Sequence, residues 1–260
     1  MPTPPDPSAV AATLRRAGCV FAEEEARLLV EAAGTPGELA GMVDRRAAGE
    51  PLEHILGWTE FHGLRILLDP RVFVPRRRSE FLVDRAVALA VPGAVVVDLC
   101  CGSGALGAAV ATAVAGVDLH ATDLDPAAVR CAGGNVAALG GRVYEGDLYD
   151  PLPEVLRGRV HLLLANVPYV PTADLALLPA EARDHEDRIA LDGGADGLDV
   201  LRRVAATAGR WLAPGGHLLV ESSERQAAGI AECFARSGLI PQVVHSDDAF
   251  ATVVVGTAPR

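Results

Sequence analysis

One stretch restricts the fold more than any other: Ala94-Val95-Val96-Val97-Asp98-Leu99-Cys100-Cys101-Gly102-Ser103-Gly104-Ala105-Leu106-Gly107. Its uninterrupted apolar run reads as a strand covered on both faces, as in a parallel sheet. The glycines that follow let the backbone pass close to a ligand, and the helix behind them, running to about Val114, starts with free N–H groups. Strand, tight turn and helix form the opening unit of a doubly wound α/β domain. The alternation continues downstream, with strands at Asp118 to Thr122, Arg142 to Glu145, Val160 to Ala165 and Gly216 to Val220. Asp125-Pro126 supplies a cap and a first-turn proline for one of the intervening helices.

Gly102, Gly104 and Gly107 spell G-x-G-x-x-G, and Asp123 follows at the spacing a dinucleotide fold uses for its ribose carboxylate. A Rossmann dehydrogenase therefore has to be weighed. Two features oppose it. Asp98 closes the strand ahead of the turn, where it repels a pyrophosphate and favours a sulfonium or an amino-acid ammonium. The chain also ends in two β-prone segments, Gln242 to His245 and Thr252 to Val255, joined by a turn at Ser246 to Asp248. That hairpin suits the extra antiparallel strand of a methyltransferase sheet. In such a site Asp123 accepts two ribose hydroxyls. Asp147, in Gly146-Asp147-Leu148, accepts from an adenine amine while Leu148 packs on the ring; a plain turn or cap is the alternative for Asp147.

The Val160 to Ala165 strand delivers Asn166-Val167-Pro168-Tyr169 to the edge where open α/β sheets bind ligands. A carboxamide, a rigid proline and an aromatic ring suit a planar N–H₂ group better than a phosphate, metal or ester. The bland alternative is a strand-terminal turn with an incidental tyrosine. Downstream, His185-Glu186-Asp187 either lines a substrate entrance or forms a solvated loop, and Glu221 is expected to cap the helix that follows it.

The remaining segments read as accessories. At 260 residues the chain fits one large domain plus a small one. Ser8 to Gly49 carries apolar residues at helical spacing, punctuated by Gly18, Gly34 and Gly37 into three short helices, with Glu23-Glu24-Glu25 as a solvated face or first turn. Phe61 to Leu68 reads as a hairpin around Gly63, and Val72 to Pro75 is extended. The expected division is a helical substrate-recognition domain over residues 1–58, a β-hairpin linker over 59–78 and a Rossmann-like domain over 79–260. The proline-rich Met1 to Pro7 is expected to fray. Ser79 is expected to cap a helix reaching Ala90. Arg71, Arg76, Arg77 and Arg78 form the local basic cluster, read as a solvated linker face or as a contact to an acidic partner or cofactor carboxylate.

Composition excludes some functions. There is no lysine, all 23 basic residues are arginine and the net charge is −11, which argues against extended contact with a nucleic-acid backbone. Cys19, Cys100, Cys101, Cys131 and Cys233 are odd in number and contain no CxxC pair, so neither a disulfide framework nor a metal site is expected. No apolar run approaches a membrane span and no leader pattern opens the chain, so a cytoplasmic location is expected.

Together these motifs resemble the HemK/PrmC family, the protein-(glutamine-N5) methyltransferases that act on peptide chain release factors. The resemblance spans nearly the whole chain. It rests on Pro51 to Gly57, Glu60 to Leu64, Val74-Pro75-Arg76 with Ser79-Glu80, Asp98 to Gly104, Gly146-Asp147-Leu148, Asn166 to Tyr169, and Leu191 to Asp199. It implies a class I methyltransferase fold, seven-stranded and mostly parallel with a C-terminal antiparallel strand, preceded by a small helical domain and a β-hairpin. It implies S-adenosylmethionine, bound by Arg76, Asp98, Cys100, Cys101, Gly102, Ser103, Gly104, Asp123, Asp147, Leu148 and Asn166. The Asn166 side chain and the Val167 carbonyl would hold the substrate amide, Pro168 would hold the turn, and Tyr169 would cover the planar group.

The chain departs from the family's pattern at three places. Val167 stands where the family has the first proline of Asn-Pro-Pro-Tyr, Cys100 and Cys101 replace glycine and threonine, and Arg77-Arg78 replace Pro-Glu. Three functions are carried forward: methylation of a protein glutamine, with a release factor as the implied partner; methylation of an exocyclic amine on a nucleobase or metabolite; and a cofactor-binding module without turnover.

Overall fold

The computed structural model describes residues 6–260. Three amphipathic helices come first: α1 (Pro7–Arg16), α2 (Ala22–Ala32) and α3 (Pro36–Ala47). Asp6 caps α1 by accepting from the Ser8 amide at 2.9 Å, so Pro7 opens a helix rather than fraying; residues 1–5 of that expected frayed start lie outside the described residues. Thr35 and Glu38 form a reciprocal capping box on α3. A short α4 (Leu52–Leu56) follows and stops at Gly57 in the left-handed region. Leu14, Ala26, Leu29, Leu39, Val43 and Ile55 build a small core of their own.

Within this module, Glu25 departs from the solvated reading of the acidic run. It is buried, and Arg46 donates to it from Nε at 2.6 Å and from Nη2 at 3.2 Å. A carboxylate out of water persists only with such a partner. The same guanidinium reaches the Glu50 carbonyl at 3.0 Å and the Glu181 carboxylate at 2.6 Å, tying the helices to a distant part of the chain.

The expected hairpin forms from β1 (Trp58–Phe61) and β2 (Leu64–Leu67). His62 and Gly63 both take positive φ, as a two-residue hairpin turn with the right twist requires. Its buried side chains Phe61 and Ile66 join the core of the large domain, against Leu82, Val83 and Ala86 of α5 (Glu80–Leu89).

That domain alternates as expected. In chain order it contains β3 (Val95–Leu99), α6 (Ala105–Ala113), β4 (Asp118–Asp123), α7 (Pro126–Val136), β5 (Arg142–Glu145), β6 (Val160–Ala165), α8 (Ala180–His185), α9 (Asp199–Ala208), β7 (Leu212–Ser222), α10 (Glu224–Arg236), β8 (Ile240–Ser246) and β9 (Ala251–Thr257). The seven strands lie in the order β5-β4-β3-β6-β7-β9-β8. All neighbours pair in parallel except β9, which runs antiparallel to both β7 and β8. The terminal hairpin thus supplies the antiparallel strand that its sequence suggested.

Side-chain alternation explains why the sheet is covered twice. Val95, Val97 and Leu99 of β3, with Leu163 and Val254, face α9 and α10. Val96, Leu162, Leu164, Val253 and Val255 face α5 and α6. A period of two along strands with no polar face demands helices on both sides. Among the described residues, no helix is long and apolar enough to cross a membrane.

The linker from Val72 to Ser79 is held by charge rather than solvated. Glu186, just after α8, is buried and accepts from Arg76 Nη2 at 2.6 and 2.7 Å and from the Val74 amide at 3.2 Å. Arg71 pairs with Asp187. Burial raises the Glu186 carboxyl above its ordinary range even though Arg76 opposes the shift. A carboxyl whose native pKa is raised binds its proton more readily folded than unfolded, so its contribution to stability falls as pH rises through the carboxylate range. Arg76→Met removes the opposing charge. It should destabilise the fold by roughly 3 kcal/mol near neutral pH, with a loss that shrinks as the pH falls and Glu186 takes up its proton. Urea unfolding of both proteins across pH checks this, and a loss independent of pH would contradict it.

Candidate functional site

β4, β3 and β6 lie side by side at the point where the chain, having moved outward through β4 and β5, returns to the other flank of β3. At such a reversal the loops after adjacent strands diverge and leave a crevice at their C-terminal ends. A cavity of about 380 Å³ occupies it. Its walls come from the residues after each strand: Cys100 to Ser103 after β3, Asp123 to Asp125 after β4, Asp147 and Leu148 after β5, and Asn166 to Val170 after β6.

The turn after β3 is set by its backbone. Cys100 takes φ +53°, Gly102 +54° and Gly104 +75°. A Cβ on Gly104 would lie 3.1 Å from Ala132 Cβ, and one on Gly107 would lie 2.9 Å from Leu119 and 3.1 Å from Asp98 Oδ2. The third glycine therefore serves close helix–strand packing, not ligand approach. Asp98, expected on the wall, lies beneath it and is fully buried. Its Oδ2 accepts from the Gly107 amide at 2.9 Å, while Oδ1 has no partner. Burial pushes its carboxyl up to about 8, against the Gly107 N–H and with some help from the Asp123 charge. Asp98 is thus placed to hold the turn, and a protonated carboxyl there needs no counter-charge.

Asp123 does line the cavity. Oδ2 accepts from the Gly102 amide at 2.8 Å and Oδ1 from the Asp125 amide at 2.9 Å. Each oxygen keeps one further acceptor position, which two adjacent hydroxyls can use. Burial raises this carboxyl above its usual range, opposed by those same amides. Asp147 pairs through Oδ2 with Arg203 of α9 at 2.6 Å, leaving Oδ1 for a ligand amine. Leu148, at φ +50°, turns its side chain into the wall beneath. The Cys100 and Cys101 thiols are pushed upward by burial and stay neutral, so neither is poised as a nucleophile.

Asn166 is half-buried at the end of β6, and its carboxamide makes no hydrogen bond to the described residues. Val167 is buried, and Pro168 and Tyr169 complete the wall. A glycine loop locks this turn in place. Gly193 N donates to Val170 O at 2.8 Å, and the Thr172 amide donates to Gly194 O at 2.8 Å. A Cβ on Gly193 would sit 2.6 Å from the Pro168 carbonyl oxygen, and one on Gly197 would collide with that of Tyr169. Only glycine permits the loop to lie so close.

Several contacts were not legible in the sequence. Glu221 does not cap α10; it is buried, accepts from Arg78 Nε at 2.7 Å and also takes the Ser79 hydroxyl. Ser79 accordingly does not cap α5. Arg78 further donates to the Tyr169 hydroxyl. Gln226 Nε2 holds the Tyr169 carbonyl at 3.2 Å. Arg76 lines the cavity and pairs with Glu186, Arg71 pairs with Asp187 and Arg78 with Glu221, so the solvated-face reading of the basic cluster gives way to ion pairs within the chain, with Arg77 alone outside them. Of His185-Glu186-Asp187, only Asp187 reaches the wall. Glu181, held by Arg46, also lines the rim and brings the helical module to the site's edge. Among the described residues, no group of three or more ligating side chains could hold a metal ion.

Comparison with known proteins agrees with this geometry. The Methyltransferase small domain family matches residues 69–177. The release factor glutamine methyltransferase of Geobacter sulfurreducens is 39% identical over 85% of this chain and 78% of its own. A 4-amino-L-phenylalanine/4-methylamino-L-phenylalanine methyltransferase of Streptomyces pristinaespiralis is 36% identical over 75% of this chain and 68% of its own. The crystal structure of a methyltransferase from Pyrococcus furiosus has the same fold, with a TM-score of 0.57 at 16% identity, covering 85% of this chain and 100% of that one. With this fold, this site and relatives of such identity across most of its length, the chain belongs to the release factor glutamine methyltransferase family.

Proposed function

We propose that this protein is an S-adenosylmethionine-dependent N-methyltransferase that methylates the side-chain amide nitrogen of a glutamine in a protein, with a release factor as its partner. The observation that carries this reading is the unpartnered Asn166 carboxamide on the wall of a cavity that also holds Asp123 and the glycine turn. S-adenosylmethionine, when bound, supplies an electrophilic methyl group on a sulfonium.

The residues present fit that group. Asp123 has two free acceptor positions for ribose hydroxyls, Asp147 Oδ1 can take an amine, Leu148 offers an apolar surface for a ring, and Cys100 to Ser103 line the turn side of the cavity, while Gly104 shapes the turn without lining it. Arg76, anchored by Glu186 through Nη2 alone, lines the cavity with further N–H groups to offer, whereas Asp98, beneath the turn, supports the site from behind.

An amide nitrogen is a weak nucleophile because its lone pair is delocalised into the carbonyl. The protein therefore has to orient it and keep water away, which can supply much of the rate without a strong base. The Asn166 side-chain oxygen and the Val167 carbonyl would each accept one N–H, fixing the nitrogen and favouring the positive charge that builds on it. A backbone carbonyl serves without a proline side chain, and the buried Val167, pinned between β6 and the glycine loop, keeps its place. One N–H proton leaves once the N–C bond has formed. The helical module would meet the protein partner; the pairing of its Arg46 with Glu181 at the cavity's rim supports that role.

A second reading comes from the Streptomyces pristinaespiralis relative, named for a substrate that carries an aryl amine. Transfer of label from S-adenosylmethionine separates the two: incorporation into a release-factor glutamine supports the first, and label confined to free amines supports the second. Asp123→Ala should weaken S-adenosylmethionine binding by roughly a hundredfold or more, the worth of two hydrogen bonds to a charged acceptor at about 1.5 kcal/mol or more each; unchanged affinity by calorimetry would refute the ribose role. Asn166→Ala should lower transfer by roughly a hundredfold or more, with cofactor affinity within a fewfold of the parent. Near-normal transfer by that variant would exclude the amide clamp.

A further inference from the structure

We propose that Arg78 is a positioning residue that fixes Tyr169 over the acceptor and leaves the phenolic proton free for an oxygen of the acceptor group. The proposal rests on the amide-methylating reading above and adds to it a means of choosing between the two ends of a flat amide.

The geometry is as follows. Glu221 is buried, with one oxygen on Arg78 Nε at 2.7 Å and the other on the Ser79 hydroxyl. That carboxylate sets the plane of the guanidinium, whose Nη2 then meets the Tyr169 hydroxyl. Arginine carries donors and no acceptor, so the tyrosine oxygen must accept this bond. The phenolic O–H is left without an acceptor among the described residues, and the half-buried side chain lines the cavity with Asn166. At the backbone end, Gln226 holds the Tyr169 carbonyl and Gly197 packs against it. The ring is therefore fixed at both ends, and its one unused polar function is a donor.

A carboxamide presents an oxygen and an NH₂ of nearly the same size. If it binds flipped, its oxygen instead of its nitrogen lies in line with the methyl. Two acceptors, Asn166 Oδ1 and the Val167 carbonyl, select the NH₂ end; a donor from Tyr169 selects the oxygen end. Wrong orientation then leaves donors facing donors and acceptors facing acceptors, a mismatch polar sites reject strongly. An aryl amine has no such oxygen and gains nothing from the arrangement. Glu221 also neutralises Arg78, so the guanidinium does not oppose positive charge growing on the nitrogen.

The test compares wild type, Arg78→Met, Tyr169→Phe, the double variant and Arg78→Lys. Single-turnover transfer to a release factor is measured at saturating S-adenosylmethionine, with cofactor affinity by calorimetry and melting temperature for each. Arg78→Met and Tyr169→Phe should each slow transfer tenfold or more, the double variant should be no slower than the worse single, and Arg78→Lys should recover part of the loss. Cofactor affinity should stay within twofold throughout. Because Arg78→Met strands part of Glu221, a second readout is taken on the free protein. With only three tyrosines in the chain, the carbon-13 signal of the Tyr169 ring is readily assigned. Burial raises the Tyr169 hydroxyl above its ordinary value and Arg78 opposes that rise, so its titration should move further upward when Arg78 is removed.

Losses that multiply in the double variant, or a fall in rate matched by equal falls in cofactor affinity and melting temperature, would overturn the proposal, as would an unmoved Tyr169 signal. If wild type transfers nothing to a glutamine, the acceptor reading fails instead, and the tyrosine signal still decides whether Arg78 holds the ring.

Discussion

Because β3 is bonded to β4 on one flank and to β6 on the other, the backbone past its last residue loses both partners at once. The amide of Cys101 still finds Thr122 O, at 3.0 Å, but the next free amide, that of Gly102, must look elsewhere and takes the Asp123 carboxylate. Unpaired peptide groups cannot be left dry. The site grows from this constraint. The turn bends into left-handed conformations to place its N–H groups, Gly107 lets α6 settle onto the strand, and Asp98 secures that approach from below.

The second organising theme is buried carboxylates. Glu25, Glu186 and Glu221 each lie out of water, and each is met by an arginine through more than one contact or through one arginine plus another donor. A chain without lysine has only the planar guanidinium for this task, and that group can hold a carboxylate while passing a further N–H to a third residue. Arg46 does so to Glu181 and Arg78 does so to Tyr169. Such pairs add little net stability. What they supply here is placement, joining the helices, the linker and the Asn166 turn into one frame.

These differences also explain how much could be read from sequence. The strands, the glycine turn, the terminal antiparallel hairpin, Asp123 and the Asn166 turn are local patterns of apolar runs, glycines and strand ends, and each was legible. So was the closeness of Asp125-Pro126 to a helix start, realised by the Asp125 cap on the Ala127 amide at 2.8 Å. Ser79 and Glu221 were misread for one reason: each sits next to a helix and has capping chemistry, while its real partner is more than a hundred residues away. Nothing local distinguishes a cap from half of a long-range pair. Glu25 was hidden among acidic neighbours for the same reason, and Asp98 looked like a wall residue because its spacing reports the strand it ends, not the direction its side chain takes.

The hairpin β1–β2 has a consequence for how such a protein can change over evolutionary time. Its Phe61 and Ile66 belong to the core beneath the sheet, whereas the helices before Gly57 keep a core to themselves and reach the rest through Arg46, on Glu181, and through the buried His54, whose Nε2 lies 2.8 Å from the Val72 carbonyl oxygen. The natural seam therefore lies ahead of the hairpin. A lineage can exchange or shorten the helices with little cost to the core beneath the sheet, while the hairpin, built into that core, has to stay. The two cores are thus separable inheritances, joined by one guanidinium and one imidazole.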